Sequence, residues 1–189
     1  DIAKGIASVI TAPVRGMTKV DTTLVGLGQD AAVVNGMLLL ERVDNVIVRN
    51  IHFQDAYDHF PAWEPRDNGH GEWNSEYDNI TLRGATHVWI DHCTFDDGAR
   101  PDDGEPVVLG RRVQHHDGLL DITNQSDLVT VSWCRFQSHD KTMLIGSSDS
   151  KTADDGRLRV ITDEKQFEDC DKDSLGLIPV TSEVWNTWI

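Results

Sequence analysis

The stretch "THVWIDHCTF" (86–95) alternates apolar and polar residues and closes on a phenylalanine, a pattern typical of a short, half-buried β-strand. The same pattern precedes it in "DNVIVRNIHF" (44–53) and follows it in "DLVTVSWCRF" (127–136). Each copy comes after a second short apolar stretch: "GMLLLERV", "NITLRGA" or "LLDITNQ". The copies start roughly forty residues apart, and self-similarity at such a period indicates a solenoid.

The repeats predict an all-β fold, a parallel β-helix. No segment of helical periodicity competes with the strands, and no Asn-Gly hairpin turn joins the repeats. Two long polar insertions, 54–78 and 96–118, interrupt the pattern on one side, where solenoids commonly build a binding surface. We expect a partial β-helix domain over residues 1–160 and a divergent, poorly ordered acidic tail over 161–189.

Equivalent residues of successive coils should stack above one another. Phe53, Phe95 and Phe136 fall in one stack, which predicts core packing. Cys93 and Cys134 lie one coil apart in another, at a strand spacing of about 4.8 Å. That separation allows either a disulfide or two buried free thiols.

The charge balance restricts the partners. The 189 residues include 32 acidic and 17 basic side chains, for a formal net charge of −15. Such a field repels nucleic acid and anionic membranes, and it would also repel an acidic polymer unless cations intervene. No apolar run of about 18 residues is present, so no membrane-spanning helix is predicted.

A cluster of carboxylates precedes two of the strands. Aligning the coils on their phenylalanines predicts these neighbours: Asp121 beside Ile80, Leu119 beside Asp78, and Asp117 beside Glu76. The carboxylates of Glu76, Asp78, Asp117 and Asp121 would then share one face, where their repulsion calls for a cation. Calcium suits such an oxygen-rich, irregular site.

The spacing of two of these aspartates sets a condition. In a straight strand Asp117 and Asp121 would lie about 13 Å apart, too far for one ion with ligands at about 2.4 Å. Either the chain bends at Gly118 or the patch holds more than one ion. We favour the bend.

Other interpretations of the polar residues remain open. The acidic residues could form a solvated surface, and His115 and His116 could bind zinc together with Asp117. Lys141 could neutralise the carboxylates or hold the carboxylate of an anionic ligand. The loop aromatics could stack on sugar rings or simply pack within the loops; these are Tyr57, Trp63 and Trp73.

Several of these motifs together resemble one known family. "WNSEYDNITLRGATHVWIDHCTFDDG", "QHHDGLLDI" and "SHDKTMLIGSSDSKTADDGRLRV" closely resemble the calcium-dependent pectate lyases of polysaccharide lyase family 1, from "TTLVGLG" (22–28) to Val160. The resemblance implies a right-handed parallel β-helix that is secreted and that is a monomer if the chain is complete. It also implies calcium-dependent β-elimination of polygalacturonate, which leaves 4,5-unsaturated ends.

The resemblance assigns roles to individual residues. Asp78, Asp117 and Asp121 match the primary calcium ligands of the family, and Glu76 matches a position near additional calcium ions. Lys141 matches the lysine that holds a carboxylate of the substrate. An acidic protein can bind polygalacturonate in this way because calcium lies between them.

One part of the family pattern has no match. The family's catalytic base is an arginine in a motif like "APRVRFG", beyond the "DDGRLRV" stretch, and after Val160 this sequence diverges without such a motif. Arg157 and Arg159 belong to the preceding motif and are poor substitutes. We therefore identify no catalytic residue and expect a chain that is truncated before the base. Such a chain would keep the binding site, and whether it has lyase activity is an open question.

Two rival functions follow from the same residues. A non-catalytic β-helix could bind acidic polysaccharide through calcium without forming any product. A calcium-independent pectin lyase acting on methylated substrate is disfavoured, because that chemistry has no use for the carboxylate patch.

Overall fold

The computed structural model describes residues 8–9, 21–146 and 187–188. In this part the chain forms β-strands and two 3-10 helices, Asp67–Gly69 and Asp102–Gly104, and no α-helix. The strands are β1 (Ser8–Val9), β2 (Thr22–Val25), β3 (Ala32–Val34), β4 (Leu38–Glu41), β5 (Asp44–Arg49), β6 (His52–Gln54), β7 (Ala62–Glu64), β8 (Glu72–Asn74), β9 (Ile80–Arg83), β10 (Thr86–Asp91), β11 (Thr94–Asp96), β12 (Val107–Val108), β13 (Arg111–Arg112), β14 (Leu120–Thr123), β15 (Asp127–Ser132), β16 (Arg135–Phe136), β17 (Met143–Ile145) and β18 (Thr187–Trp188).

The strands stack into three sheets that run along the solenoid. The first has the order β1-β3-β6-β11-β16, the second β2-β5-β10-β15, and the third β4-β9-β14-β17. All pairings within these sheets are parallel; β18 joins the edge of the third sheet in antiparallel fashion. The hairpins β7–β8 and β12–β13 project from the two long insertions. The predicted right-handed parallel β-helix is thereby confirmed.

The interior is built from like residues in successive coils. The rings of Phe53 and Phe95 stack at 5.4 Å with 9° between their planes, and Phe95 and Phe136 at 4.7 Å and 5°. The predicted phenylalanine stack is therefore confirmed. Buried valine, leucine and isoleucine side chains complete the core, which removes apolar surface from water along the whole solenoid.

One turn of each coil has the same left-handed backbone. Asn50, His92 and Trp133 occupy equivalent positions with φ of 55°, 52° and 52°. The side-chain amide of Asn50 donates to the carbonyls of Gly26 and Gly28, at 2.8 and 3.0 Å. It thereby supplies hydrogen bonds to two backbone groups of the neighbouring coil. Repetition of this turn keeps the coils in register.

The register at the carboxylates differs from the sequence alignment by one residue. In the third sheet Leu120 pairs with Ile80, and Asp121 pairs with Thr81. The alignment on phenylalanines, which placed Asp121 beside Ile80, was therefore wrong at this point. The difference matters because Ile80 and Leu120 face the core, whereas Asp121 lies beside Thr81, whose hydroxyl donates to Asp78.

The turn that follows each strand explains this shift. One coil passes from β9 to β10 through Gly84, with φ of 63°, whereas the next passes from β14 to β15 through Asn124 and Gln125, with φ of 52° and 65°. The second turn holds one additional residue, since Arg83 pairs with Thr123 whereas the strands beyond it pair Thr86 with Asp127. An alignment on the phenylalanines, which lie after this turn, ignores the extra residue and therefore shifts the residues before the turn by one position.

Two other sequence predictions concern the ends of the chain. Among the described residues no helix is long and apolar enough to cross a membrane. The domain boundary at 160 and the acidic tail over 161–189 lie outside the described residues, apart from the short strand β18.

Candidate functional site

Three of the four predicted carboxylates come together at one end of the third sheet. Asp78 stands before β9, Asp117 stands before β14, and Asp121 lies within β14. Lys141 reaches the same place from the segment before β17. Asp78 and Asp121 are buried, and Asp117 is partly exposed. Successive strands of a parallel sheet bring their equivalent ends to one edge, and this collects residues that are distant in sequence.

The fourth carboxylate stands apart from this group. The side chain of Glu76 is exposed, and its backbone amide donates to Asp58 at 3.3 Å. Its assignment near a second ion stays a prediction.

Hydrogen bonds hold the aspartates in place. The amide of Gly118 donates to Oδ1 of Asp78 at 2.9 Å, and the hydroxyl of Thr81 donates to the other oxygen of that carboxylate. Nζ of Lys141 donates to Oδ1 of Asp117 at 2.8 Å. The chain bends at Leu119, directly before β14, so that Asp117 and Asp121 do not lie on one straight strand.

The electrostatics of the group favour a bound cation. Burial, together with the charge of Asp117, raises the pKa of Asp78 to about 6, although Thr81, Gly118 and Lys141 act in the opposite direction. Burial also raises the pKa of Asp121 to about 8, and the charges of Asp78 and Asp117 add to it. These carboxylates resist ionisation side by side, and a divalent cation would relieve that repulsion.

Two observations test whether the residues fit calcium. Oδ1 of Asp121 is buried and has no hydrogen-bond partner within the described part of the chain. A Cβ at Gly118 would lie 2.9 Å from that oxygen and 2.9 Å from Oδ1 of Asp78, so the glycine leaves open the space that both oxygens border. Hard carboxylate oxygens beside such a space fit Ca²⁺.

The aspartates do not yet face a common point. The described residues contain no group of three or more His, Cys, Asp or Glu side chains already arranged to hold a metal ion. The contacts explain this arrangement, because Asp78 is turned toward Thr81 and Gly118, and Asp117 toward Lys141. Lys141 therefore occupies one oxygen of the Asp117 carboxylate.

Two buried histidines hold the segment that carries Asp117. His139 contacts Asp97 through Nδ1 at 2.9 Å and the backbone carbonyl of Asp117 through Nε2 at 2.9 Å. Both partners are acceptors, so both ring nitrogens donate. Although burial opposes it, the bond to Asp97 raises the pKa of His139.

His116 forms a second bridge, between two insertions. Its nitrogens lie 2.7 Å from Asp102 and 3.0 Å from Asp55, and the amides of His115 and His116 donate to the other oxygen of Asp102. Burial opposes protonation, yet the bonds to Asp102 and Asp55 raise the pKa of His116 to about 9.

These positioning roles were not predicted from the sequence, in which the "HH" pair indicated only a possible zinc site. Both nitrogens of His116 are engaged by carboxylates, and Nδ1 of His115 lies 2.6 Å from the carbonyl of Asp58. The zinc interpretation was therefore wrong. The signal available in the sequence was a histidine next to Asp117 and another two residues before Lys141.

The loop aromatics contact one another and other side chains. Trp63 and Trp73 pair across the β7–β8 hairpin with their rings 5.4 Å apart, and the ring of Tyr57 stacks on that of His115 at 4.3 Å. Packing within the loops therefore accounts for them. A cavity of about 570 Å³ opens beside Tyr57 and Tyr77, next to the aspartate group in sequence.

Comparison with known proteins agrees with the geometry. The pectate lyase family model matches residues 11–174. A pectate lyase of Bacillus subtilis (strain 168) is 52% identical over 148 residues, which cover 78% of this chain and 35% of that protein. This chain thus spans about a third of the length of that relative.

Solved structures resemble the same part of the chain. A pectate lyase bound to a hexasaccharide superposes with a TM-score of 0.69 at 56% identity, covering 72% of this chain and 34% of that one. A second structure, described in terms of the substrate specificity and anti β-elimination mechanism of pectate lyase, gives a TM-score of 0.68 at 54% identity, covering 71% of this chain and 33% of that one. Because the family model matches most of this chain, residues 11–174, the chain belongs to the pectate lyase family.

Proposed function

We propose that the protein cleaves polygalacturonate by calcium-dependent β-elimination and leaves 4,5-unsaturated oligogalacturonides. The observation that carries the proposal is the group of Asp78, Asp117 and Asp121 beside Lys141, with a buried oxygen of Asp121 unpartnered within the described residues. Support also comes from the relatives, one of which is described as bound to a hexasaccharide and another in terms of anti β-elimination.

The three aspartates would hold the calcium ion. When bound, the ion supplies positive charge that withdraws electron density from a uronate carboxylate. Lys141 would donate a hydrogen bond to the same carboxylate, and this makes the proton on C5, next to the carboxylate, more acidic. Loss of that proton expels the glycosidic oxygen from C4 and leaves a double bond between C4 and C5.

The remaining residues would position this group. His139 and His116 fix the backbone around Asp117, and Gly118 keeps the space between Asp78 and Asp121 clear of a side chain. We assign no residue as the proton acceptor, because the sequence holds no match to the arginine motif of the family.

The test combines calcium binding with product formation on this chain. Calorimetric titration with calcium should show binding that Asp121→Ala abolishes. Polygalacturonate should then bind with calcium and not with a chelator, and any ultraviolet-absorbing unsaturated product should form only with calcium. Product from this chain would show that it holds a proton acceptor other than the arginine of the family motif. Asp127→Ala is the matched control, since Asp127 begins β15 in the next sheet, away from the site.

Each other outcome contradicts part of the proposal. Calcium binding that survives Asp121→Ala would contradict the ligand assignment. Product that persists with the chelator would contradict calcium dependence. Calcium-dependent pectate binding without any product would make this chain a polysaccharide-binding β-helix and not a lyase.

The site of action is a further part of the proposal. We propose that the protein is secreted, because its polymeric substrate lies outside the cell, and that the complete protein acts as a monomer. Detection of the protein in the culture medium of its source, and a monomer mass in solution, are the corresponding measurements.

A further inference from the structure

Cys93 and Cys134 occupy equivalent positions in two successive coils. Immediately after them Thr94 pairs with Arg135, and the amide of Arg135 donates to the carbonyl of Cys93 at 2.9 Å. Neighbouring strands lie about 4.8 Å apart, and the Cα atoms of disulfides are about 4.4 to 6.8 Å apart. The two backbones are therefore separated by a distance that a disulfide can span.

The side chains of the two cysteines also point the same way. The residues that precede them, His92 and Trp133, share a left-handed φ of 52°. Two residues beyond the cysteines, the rings of Phe95 and Phe136 are parallel at 4.7 Å. The local backbones thus run alongside each other, and the two thiols make equivalent contacts. Sγ of Cys93 donates to the carbonyls of Val48 and Asp91, and Sγ of Cys134 donates to those of Ile90 and Ser132.

The two thiols differ in access and in reactivity. Cys93 is 1% exposed, whereas Cys134 is half-buried against the core. The neighbouring thiol of Cys93 lowers the pKa of Cys134 to about 7, whereas the pairing and burial raise the pKa of Cys93, so Cys134 is the thiol that ionises first. The thiolate is the nucleophile in disulfide exchange.

We propose that Cys93 and Cys134 are a disulfide-forming pair that bridges successive coils when a small-molecule disulfide is present. The Cys134 thiolate attacks one sulfur of oxidised glutathione, breaks its S–S bond and releases one glutathione thiolate. Cys93 then loses its proton and attacks the Cys134 sulfur, which releases the second glutathione. Two electrons pass from the protein thiols to glutathione, and the two protons convert the released thiolates to thiols.

The bridge would act on the candidate site through the chain that it closes. The segment between the two cysteines includes Asp117 and Asp121. A covalent link across its ends reduces the entropy of the unfolded chain and so favours the folded coil. We therefore expect the oxidised protein to unfold at a higher temperature than the reduced protein.

The experiment uses the full chain with Cys170→Ser, which leaves only the two cysteines of interest. After incubation with oxidised glutathione, both free thiols should disappear, and non-reducing peptide mapping should join the peptides of Cys93 and Cys134. The intact mass should fall by two hydrogen atoms, independently of protein concentration. The midpoint of thermal unfolding should rise and return on reduction.

Two further variants separate the steps. Cys93→Ser should stop at a stable glutathione adduct on Cys134, and Cys134→Ser should leave Cys93 unreacted in the folded protein; circular dichroism checks the fold, and alanine replaces serine if a variant unfolds. A stable adduct on Cys134 with Cys93 still free in the parent chain would overturn the proposal. Two thiols that remain unreacted in the folded parent chain would overturn it equally.

Discussion

The backbone amide of Gly118 donates a hydrogen bond of 2.9 Å to Oδ1 of Asp78, and a Cβ at Gly118 would lie equally close, 2.9 Å, to that oxygen. The same Cβ would also meet Oδ1 of Asp121. The glycine thus supplies a donor to one carboxylate and leaves the space beside both free.

Gly118→Ala should therefore weaken calcium binding while the fold persists. The methyl group would push the two carboxylates apart, and we expect a loss of at least about tenfold in affinity, as for other disturbed supports of metal ligands. Calorimetric titration measures the effect. Gly104→Ala is the control, because no atom lies within 4 Å of a Cβ at that position. Equal affinities for both variants would contradict the role of Gly118.

Lys141→Ala should separate calcium binding from substrate binding. Nζ of Lys141 competes with a cation for Asp117, so calcium affinity should stay unchanged or rise. Affinity for polygalacturonate should fall about tenfold or more, since a charge-assisted hydrogen bond is lost. Titrations with calcium alone and with polygalacturonate plus calcium distinguish the two effects. Arg83→Ala removes an exposed cation at the other end of β9 and should change neither.

His139→Ala should weaken calcium binding without removing a ligand. The ring holds the backbone carbonyl of Asp117 and is itself held by Asp97. We expect a loss of about 10- to 100-fold in calcium affinity, together with lower thermal stability because Asp97 is left buried without its partner. His87→Ala is the control, since His87 also bonds an aspartate, Asp44, but is exposed. Unchanged calcium affinity in a folded His139→Ala protein would show that His139 serves only stability.

Asp96→Asn should change the response of stability to acid. Although burial opposes it, hydrogen bonds from Gln137 and His52 hold the pKa of Asp96 below its ordinary value. A carboxylate with a lowered folded-state pKa contributes stability above its unfolded pKa of about 3.9. It loses that contribution as the pH falls through the folded-state pKa. At pH 7 we expect the variant to be about 2 kcal/mol less stable.

Denaturant unfolding at a series of pH values checks this expectation. The difference between the parent protein and Asp96→Asn should persist as the pH falls to about 4 and should shrink below it, where the pH passes through the lowered folded-state pKa. Asp127→Asn, at the partly exposed start of β15, should show a small difference at every pH. A constant gap for Asp96→Asn would mean that the ionised carboxylate is not the stabilising form.

Trp133→Asn should stabilise the protein. Trp133 is 84% exposed and adopts a left-handed φ of 52°, a conformation costly for a bulky side chain and tolerated by asparagine. Asn50 shows the favourable version of the same turn, since its amide bonds the carbonyls of the coil beneath it. We expect a gain of about 1 kcal/mol.

Thermal or denaturant unfolding measures this gain. Trp133→Phe removes bulk but keeps a residue that disfavours the left-handed turn. It should therefore give little or no gain in stability. Destabilisation by Trp133→Asn would mean that the contact of Trp133 with His92, 6.1 Å between ring centroids, outweighs the backbone strain.

The sequence by itself determined the solenoid. Alternation within each strand decides which residues face inward, and repetition of the strands stacks Phe53, Phe95 and Phe136. Both features are local or periodic, so they can be read without knowledge of the loops. The motifs around Asp78, Asp117, Asp121 and Lys141 likewise pointed to one group of residues before the structure brought them together.

Only the tertiary structure decided the contacts of that group. One additional residue in the turn at Asn124 and Gln125 moves Asp121 beside Thr81, a shift that an alignment on Phe136 cannot detect. The structure also decided that His116 and His139 hold the ligand segment through hydrogen bonds to aspartates distant in sequence. Periodicity fixes which face a residue occupies, whereas side-chain partners depend on how loops of unequal length return to the coil.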